Sequence, residues 1–555
     1  MTMNPLQLIE RLPYDITERI FACLNQTDCL ECMAVSRTWF KLVPLYATFV
    51  WRQVDISGDQ QDERFKECLG PHVQHCRISW ANESQTCAIL DMLVQQGCKN
   101  LQTLGKLVAL VRSCMILSSL SLGFNHCRLP DQRHFMQILA PLTSCLHKLT
   151  FTEHSDNMAI IHILALCPNL THFTLSSVEA NAEIYNNEPL RHQPLPDNLL
   201  FDRLVYLRLD VVMDKHKRLT PILKRCPHLK YLAVGNIAPD TDVYQLPSSA
   251  TIDLDLFSQC CPELTFLECN SWEQQAHGVI EDGFDKNGST GLQQLITREA
   301  TDYTAPDILP TVMKHQNTLL LLCLGGALGA GNMSRSDWSN IAWIHAPKLR
   351  TLSLKYITIP STVLETIIHQ CPALEDVTLW TTEPMQSPPE SALRELSNLK
   401  RLDLGRFSNS MNRSSFLQSL RSIESLVLRY WGRDMTDDEL DALATMEGLR
   451  ELLLVQSGSK VTQQGLCRFA KNAISLRKLE LHNMSCMLSE SVLAAWGDMQ
   501  CLNTLKLVCC KGLTCQGIRD MVDRSKSLRQ FNIAYCDLID TCGVMDYVNN
   551  KLAIN

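Results

Sequence analysis

At 555 residues, 45% of them hydrophobic and 20% charged, the chain has the composition of a folded protein with a large core, not of a disordered one. A net charge of -8, from 51 basic and 59 acidic residues, argues against nucleic-acid or anionic-membrane binding, which call for clustered positive charge. The 25 cysteines follow no apolar leader, since Met1 to Arg11 already carries Glu10 and Arg11, so they are expected as reduced thiols in the cytoplasm or nucleus.

Residues 1–8 read as a tail. Pro13 then suits the first turn of a helix, where a missing N–H costs nothing. Ile16, Ile20 and Leu24 fall on one stripe of that helix. A second short helix is expected after Thr27-Asp28, carrying Leu30 and Val35, and a third holds Trp39 and Leu42. Three helices this short cannot bury all their apolar surface alone, so some is expected to remain for a partner, with the Trp39 indole a typical anchor.

Arg11-Leu12-Pro13-Tyr14-Asp15-Ile16, with Ile20, Leu30, Val35, Trp39 and Trp51, resembles an F-box. The F-box is the helical motif that docks a protein onto the Skp-type adaptor of an SCF ubiquitin ligase. The resemblance implies that Leu12 and Pro13 insert into the adaptor groove. It further implies that Ile16, Ile20, Leu24, Leu30, Val35, Trp39 and Leu42 supply contact or support, and that a cullin and a RING subunit are reached through the adaptor. The sequence departs from the family at Cys29, often aliphatic there, and at Asp15, often glutamate. A bland helical cap on the remainder of the chain is the alternative.

From Val73 onward Leu-x-x-Leu-x-Leu recurs. Clear copies are Leu399-Leu402-Leu404, Leu449-Leu452-Leu454, Leu476-Leu479-Leu481 and Leu502-Leu505-Leu507. Eighteen candidate units run from Val73 to Leu528 at a mean spacing near 27, and from Leu374 the spacings are 25, 24, 26, 27, 26 and 26. Val73, Leu117 and Leu292 head the weakest copies. Repeats of about 20–29 residues with this pattern are leucine-rich repeats. The fold class is therefore α/β: a leucine-rich-repeat solenoid, a horseshoe with parallel strands concave and helices convex, over 57–535. The F-box occupies 9–56 and a C-terminal cap 536–555.

Each Leu-x-Leu pair points into the core and the residue between them points out. Thr436-Asp-Asp-Glu439 reads as a capping box ahead of Leu440 and Leu443. Ser361 precedes Leu364, Ile367, Ile368 and Cys371 on one helical face. Several units begin Cys-Pro, at Cys167, Cys226, Cys261 and Cys371, where proline ends a helix and cysteine is a small buried filler. Cys98 and Cys501 read as comparable, and cysteines recur after strands at Cys486, Cys509 and Cys536. This pattern resembles the cysteine-containing repeats of F-box proteins. Long units place insertions at 176–200 and 236–256, and Thr381 to Pro389 reads as a third loop.

The residues just after the strand leucines offer a recognition surface. Lys355, Tyr356, Trp380, Arg406, Phe407, Tyr430 and Trp431 come from four successive units and are of the types enriched at binding hot spots. Strands about 4.8 Å apart would gather them into one patch, unless some turn over the strand end to cover the core. Trp272 is a weaker candidate.

Other motifs carry little chemistry. Cys29-Leu-Glu-Cys32 has no second pair at zinc spacing, and Cys509, Cys510 and Cys515 read as packing. Gly325 to Gly331 lacks the Gly-Lys-Ser/Thr ending of a phosphate loop, and the apolar run around it is too short for a bilayer. No nucleophile–base set can be assigned. The expected function is a non-catalytic substrate receptor of an SCF-type ligase, without cofactor or metal, whose unknown protein target is ubiquitinated for proteasomal degradation. The alternative is a binding scaffold or inhibitor acting outside a ligase.

Overall fold

The computed structural model describes residues 14–57, 63–79, 103–105, 119–123, 145–153, 160–177, 199–210, 219–235, 259–269, 291–297, 305–325, 344–357, 359–385, 389–407, 413–420, 422–431, 435–456, 460–484, 486–536 and 541–554, with a few single positions between them. The chain divides into two compact units, Met1–Asp240 with Phe257–Leu264 and Thr241–Leu256 with Thr265–Asn555.

The first unit opens on helices α1 (Tyr14–Ala22), α2 (Gln26–Val35) and α3 (Arg37–Tyr46). Helix α2 starts earlier than expected. The Asn25 side chain accepts from the Asp28 N–H at 2.9 Å, and Asp28 accepts from the Asn25 N–H at 3.4 Å. Asp28 is thus the third residue of a capping box, not the residue ahead of the helix. Ser36 ends α2 and caps α3, accepting from the Trp39 N–H at 3.2 Å. Phe21, Cys29, Met33, Val43 and Ala47 are buried between the helices.

The solenoid begins one coil earlier than the Leu pattern indicates. A strand at Gln53–Ser57 pairs in parallel with His75–Ser79, and its Val54 and Ile56 point inward. The boundary expected after residue 56 therefore falls inside a paired strand. Trp51 is fully buried edge-on to Phe65 at 5.5 Å. Gln26 donates to the carbonyls of Val50 and Gln53, and Arg64 donates to that of Leu30 at 3.2 Å. The helical start and the first coils share one core.

Parallel strands follow at Thr103–Gly105, Ser119–Gly123, Lys148–Glu153, His172–Ser177, Tyr206–Asp210 and Tyr231–Val234. The second unit continues the pattern from Phe266–Cys269 through Gln294–Thr297, Leu321–Gly325, Thr351–Lys355, Asp376–Met385, Arg401–Phe407, Ser425–Arg429, Glu451–Val455, Lys478–His482, Thr504–Val508 and Gln530–Ala534. Every unit of the Leu pattern has its strand, including the weak copies at Val73, Leu117 and Leu292. Register is held by the leucines: Leu352, Val377, Leu402, Leu426, Leu452, Leu479, Leu505 and Phe531 stand side by side. All eight are buried, each worth roughly 1.5–3 kcal/mol of transfer free energy. This is a leucine-rich-repeat solenoid.

Two features were not expected. In seven of the coils the residue two past the second position of the inward Leu-x-Leu pair turns the corner in the left-handed region, at Tyr356, Arg406, Tyr430, Gln456, Asn483, Cys509 and Tyr535, with φ between 49° and 60°. Its N–H donates to the last carbonyl of the next strand where Tyr430 meets Val455, Gln456 meets His482 and Asn483 meets Val508. Second, Thr381 to Met385 is strand, not loop, with the register shifting between Trp380 and Met385. Pro384, which has no N–H for the ladder, sits in that irregularity.

Helices back the strands. Ser361–His369 buries Leu364, Ile367 and Ile368. The expected capping box closes Asp437–Ala444, with Glu439 accepting from the Thr436 N–H at 2.7 Å. Cys167, Cys226, Cys261 and Cys371 are buried as fillers, as is Cys98, whereas Cys501 and Cys509 are exposed and Cys510 takes the inward place. Cys510 and Cys536 donate to the carbonyls of Leu481 and Leu507. The final helix, Thr541–Ile554, is tied back by Tyr547, which donates to Asp523 at 2.7 Å. Residues 178–198 and 239–256 of the two insertions, Gly326 to Gly331 and Trp272 lie outside the described residues; Ile237–Ala238 pairs with Met213–Asp214.

Candidate functional site

The N-terminal surface is built by the spacing of α1. Thr17 and Phe21 face the core, which leaves Ile16 and Ile20 on the outer stripe at 39% and 44% exposure. Val35, at the end of α2, is 57% exposed. Leu24, Leu30 and Leu42 are half-buried. Trp39 is also half-buried, set edge-on against Phe21 at 6.1 Å, so it braces α3 on α1 and is not a protruding anchor. Leu12 and Pro13 lie outside the described residues.

The sequence reading missed Leu45 and Phe49, exposed at 61% and 56%, because neither falls in the motif. An open groove of about 580 Å³ runs between α2 and α3, lined by residues that include Met33, Arg37, Phe40, Lys41 and Leu42. Large apolar side chains left in water beside a groove with two cations are the marks of a docking surface.

The second surface lies on the strands of the second unit. Trp380 sits at its centre. The ring lies across Gly405, its neighbour in register, where any added Cβ would meet the indole at 3.3 Å. Lys355 Nζ stands 4.5 Å from the ring centroid and the Arg429 guanidinium 4.6 Å, and Tyr356 meets the ring edge-on at 5.8 Å. The indole N–H donates to Asp403 at 2.8 Å, and Arg429 reaches the same carboxylate at 3.4 Å. Arg406 lies 5.7 Å from the Tyr430 ring. The structure thus brings Lys355, Tyr356 and Trp380 together, with Arg406 and Tyr430 as an adjoining pair. Phe407 ends its strand, and its side chain lies outside the described residues.

Trp431 does not belong to this surface. It is 1% exposed, because the left-handed corner at Tyr430 turns the next side chain under the strand. There it packs on Phe416 at 6.2 Å and donates to Glu439 at 3.0 Å. Arg413 stands 3.7 Å from the same carboxylate.

Asp403, Gly405 and Arg429 were missed in the sequence. Asp403 is the residue between two strand leucines and Arg429 the one after them. The alternation that turns such positions outward was legible, but the candidates were read from the residues at the strand ends, which left Asp403, Gly405 and Arg429 out. Burial pushes the Asp403 carboxyl up, against the opposing pull of Arg429, the indole N–H and Lys355. Burial also raises Asp376, opposed by Arg401 and Lys355. Further along the strands Glu480 holds Lys478 at 2.8 Å, His482 at 3.3 Å and Lys506 at 3.5 Å.

The Cys29 thiol is buried and pushed up to about 11, and among the described residues no group of three or more His, Cys, Asp or Glu is placed to hold a metal ion. Among the described residues no helix is long and apolar enough to cross a membrane.

Residues 9–57 match the F-box-like family model. No curated protein matches the chain. Among solved structures, the TLR13–ssRNA13 complex is 14% identical with a TM-score of 0.36, the match covering 89% of this chain and 65% of that one. An internalin (InlF) from Listeria monocytogenes str. 4b F2365 is 12% identical with a TM-score of 0.31, covering 83% of this chain and 96% of that one. Likenesses this distant bear on neither surface. The N-terminal surface belongs to an F-box-like domain, and the strand surface to the leucine-rich coils that come after it.

Proposed function

We propose that the chain is the substrate-recognition subunit of an SCF-type ubiquitin ligase. The F-box-like domain binds a Skp-type adaptor, which joins the cullin and RING subunits. The leucine-rich coils hold a target protein for ubiquitination and proteasomal degradation, in the cytoplasm or nucleus. The observation that carries this reading is the F-box-like match over residues 9–57, together with the outward stripe of Ile16, Ile20 and Val35.

In this role the chain contributes proximity. Tethering a target beside a charged conjugating enzyme raises its effective concentration, and no side chain of the receptor touches the thioester. A transfer cysteine needs a low pKa, and burial pushes three of the thiols, Cys76, Cys226 and Cys510, the other way, up to about 12. Tagged chain, recovered from cells and identified by mass spectrometry, is expected to carry the adaptor and the cullin. Recovery of neither would contradict the reading. With activating enzyme, conjugating enzyme and ubiquitin, a reducible thioester on this chain would contradict its non-catalytic part.

A further inference from the structure

The strand surface has a charge sign opposite to that of the chain. Across the strands from Thr351–Lys355 to Ser425–Arg429 and their corners, the described outward side chains include the cations Lys355, Arg401, Arg406 and Arg429. Among the described side chains there, only Asp376 and Asp403 oppose them. The chain as a whole carries -8. A cationic surface on an acidic protein is a local arrangement and not a by-product of composition.

How the cations are held matters more than their number. Lys355 stands on the face of Trp380, and Arg406 on that of Tyr430. The Trp380 face orients Lys355 without cancelling its charge, as a carboxylate would. Arg429 combines both kinds of contact, stacking on Trp380 while reaching Asp403 at 3.4 Å. Arg401 is 70% exposed and 3.9 Å from Asp376. The cations are therefore positioned ahead of binding, with aromatic surface beside them, and their combined field attracts anions.

We infer that this surface, centred on Trp380, captures an acidic segment of a partner protein, its carboxylates meeting Lys355 and Arg429 and its apolar side chains lying against Trp380 and Tyr430. The inference gives a chemical class to the target of the proposed receptor and rests on that reading. The alternative ligand of a basic, aromatic surface is single-stranded nucleic acid; the receptor reading, which calls for a protein target, favours the peptide, and nucleic acid is an outcome of the test.

The test is fluorescence anisotropy of the full chain with a short labelled poly-glutamate peptide interrupted by leucines, against a poly-lysine counterpart and an oligo-dT strand. The acidic peptide is expected to bind, more weakly as salt rises. Lys355→Glu and Arg429→Glu should each weaken it about tenfold or more. Lys471→Glu, an exposed charge reversal on the helix Gln463–Asn472, should leave it unchanged and controls for net charge. Thermal unfolding verifies that each variant is folded, and the half-exposed Lys355 decides the matter if the Arg429 variant does not fold. No binding of the acidic peptide, equal loss in the Lys471 variant, or tighter binding of oligo-dT would overturn the inference. The same preparation is titrated with a Skp-type adaptor. Adaptor binding without peptide binding sinks this inference alone, and peptide binding without adaptor binding sinks the receptor reading alone.

Discussion

Adjacent aromatic residues, Tyr430 and Trp431, take opposite fates. Tyr430 is 46% exposed and Trp431 is 1% exposed, and the backbone between them decides it. A left-handed residue other than glycine is uncommon, so nothing in the residue order pointed to the turn that sends Trp431 inward. Replacing Trp431 by Phe keeps most of the volume but strips Glu439 of a donor in a buried site. It should cost about 1–3 kcal/mol, read as a lower denaturant midpoint. The exposed Tyr430→Phe should change the midpoint little.

His482 gives a second residue-level test. Burial, then Lys506, hold its imidazole below the usual value of about 6.5, and Glu480 pulls the other way. The charged groups that face it from other strands are Lys506 and Arg429, with Glu480 on its own strand. Because the folded state binds the proton less readily than the unfolded state, its contribution to stability is complete above about pH 6.5 and is lost as pH falls through the lowered value. His482→Gln should therefore flatten the fall in thermal midpoint just below pH 6.5. An unchanged slope would contradict this.

At the scale of elements, the strands were legible because their leucines repeat at two spacings at once, 25 or so residues between coils and two within a strand. Gln53–Ser57 was missed because Val54 and Ile56 make only one alternation without leucine. Thr381 to Met385 was misread because threonines and a proline resemble a loop in composition, while pairing with the neighbouring strand at Trp380 and again at Met385 holds the segment between them extended. The corners were invisible, since residues as unlike as Gln456, Asn483 and Cys509 all adopt φ near 50°. Their shared cause is the hydrogen bond to the next coil. Gln456→Pro removes that N–H and cannot reach positive φ, so it should cost about 3 kcal/mol or more. Gln456→Gly relieves the left-handed strain of about 1 kcal/mol and should be neutral or slightly stabilising. Equal midpoints for the two variants would contradict this account. At the cap of α2, Asn25→Ala should cost about 1 kcal/mol.

For the whole molecule, the F-box-like domain shares its core with the first coils of the solenoid. Trp51 needs Phe65, and Gln53–Ser57 needs His75–Ser79. A fragment ending near residue 60 loses both partners, so adaptor binding is tested on the full chain. The outer face of the helices was half legible: the motif assigned contact or support to Ile16, Ile20, Val35 and Trp39, of which the first three are exposed and Trp39 braces the bundle, while the exposed Leu45 and Phe49 were not foreseen. Calorimetric titration of the full chain with a purified Skp-type adaptor is the most direct test of the central claim. Saturable binding is expected, reduced by about 2 kcal/mol or more by Ile16→Asp and by Ile20→Asp, with thermal unfolding unchanged. No binding by the parent chain, or the same affinity in both variants, would contradict it.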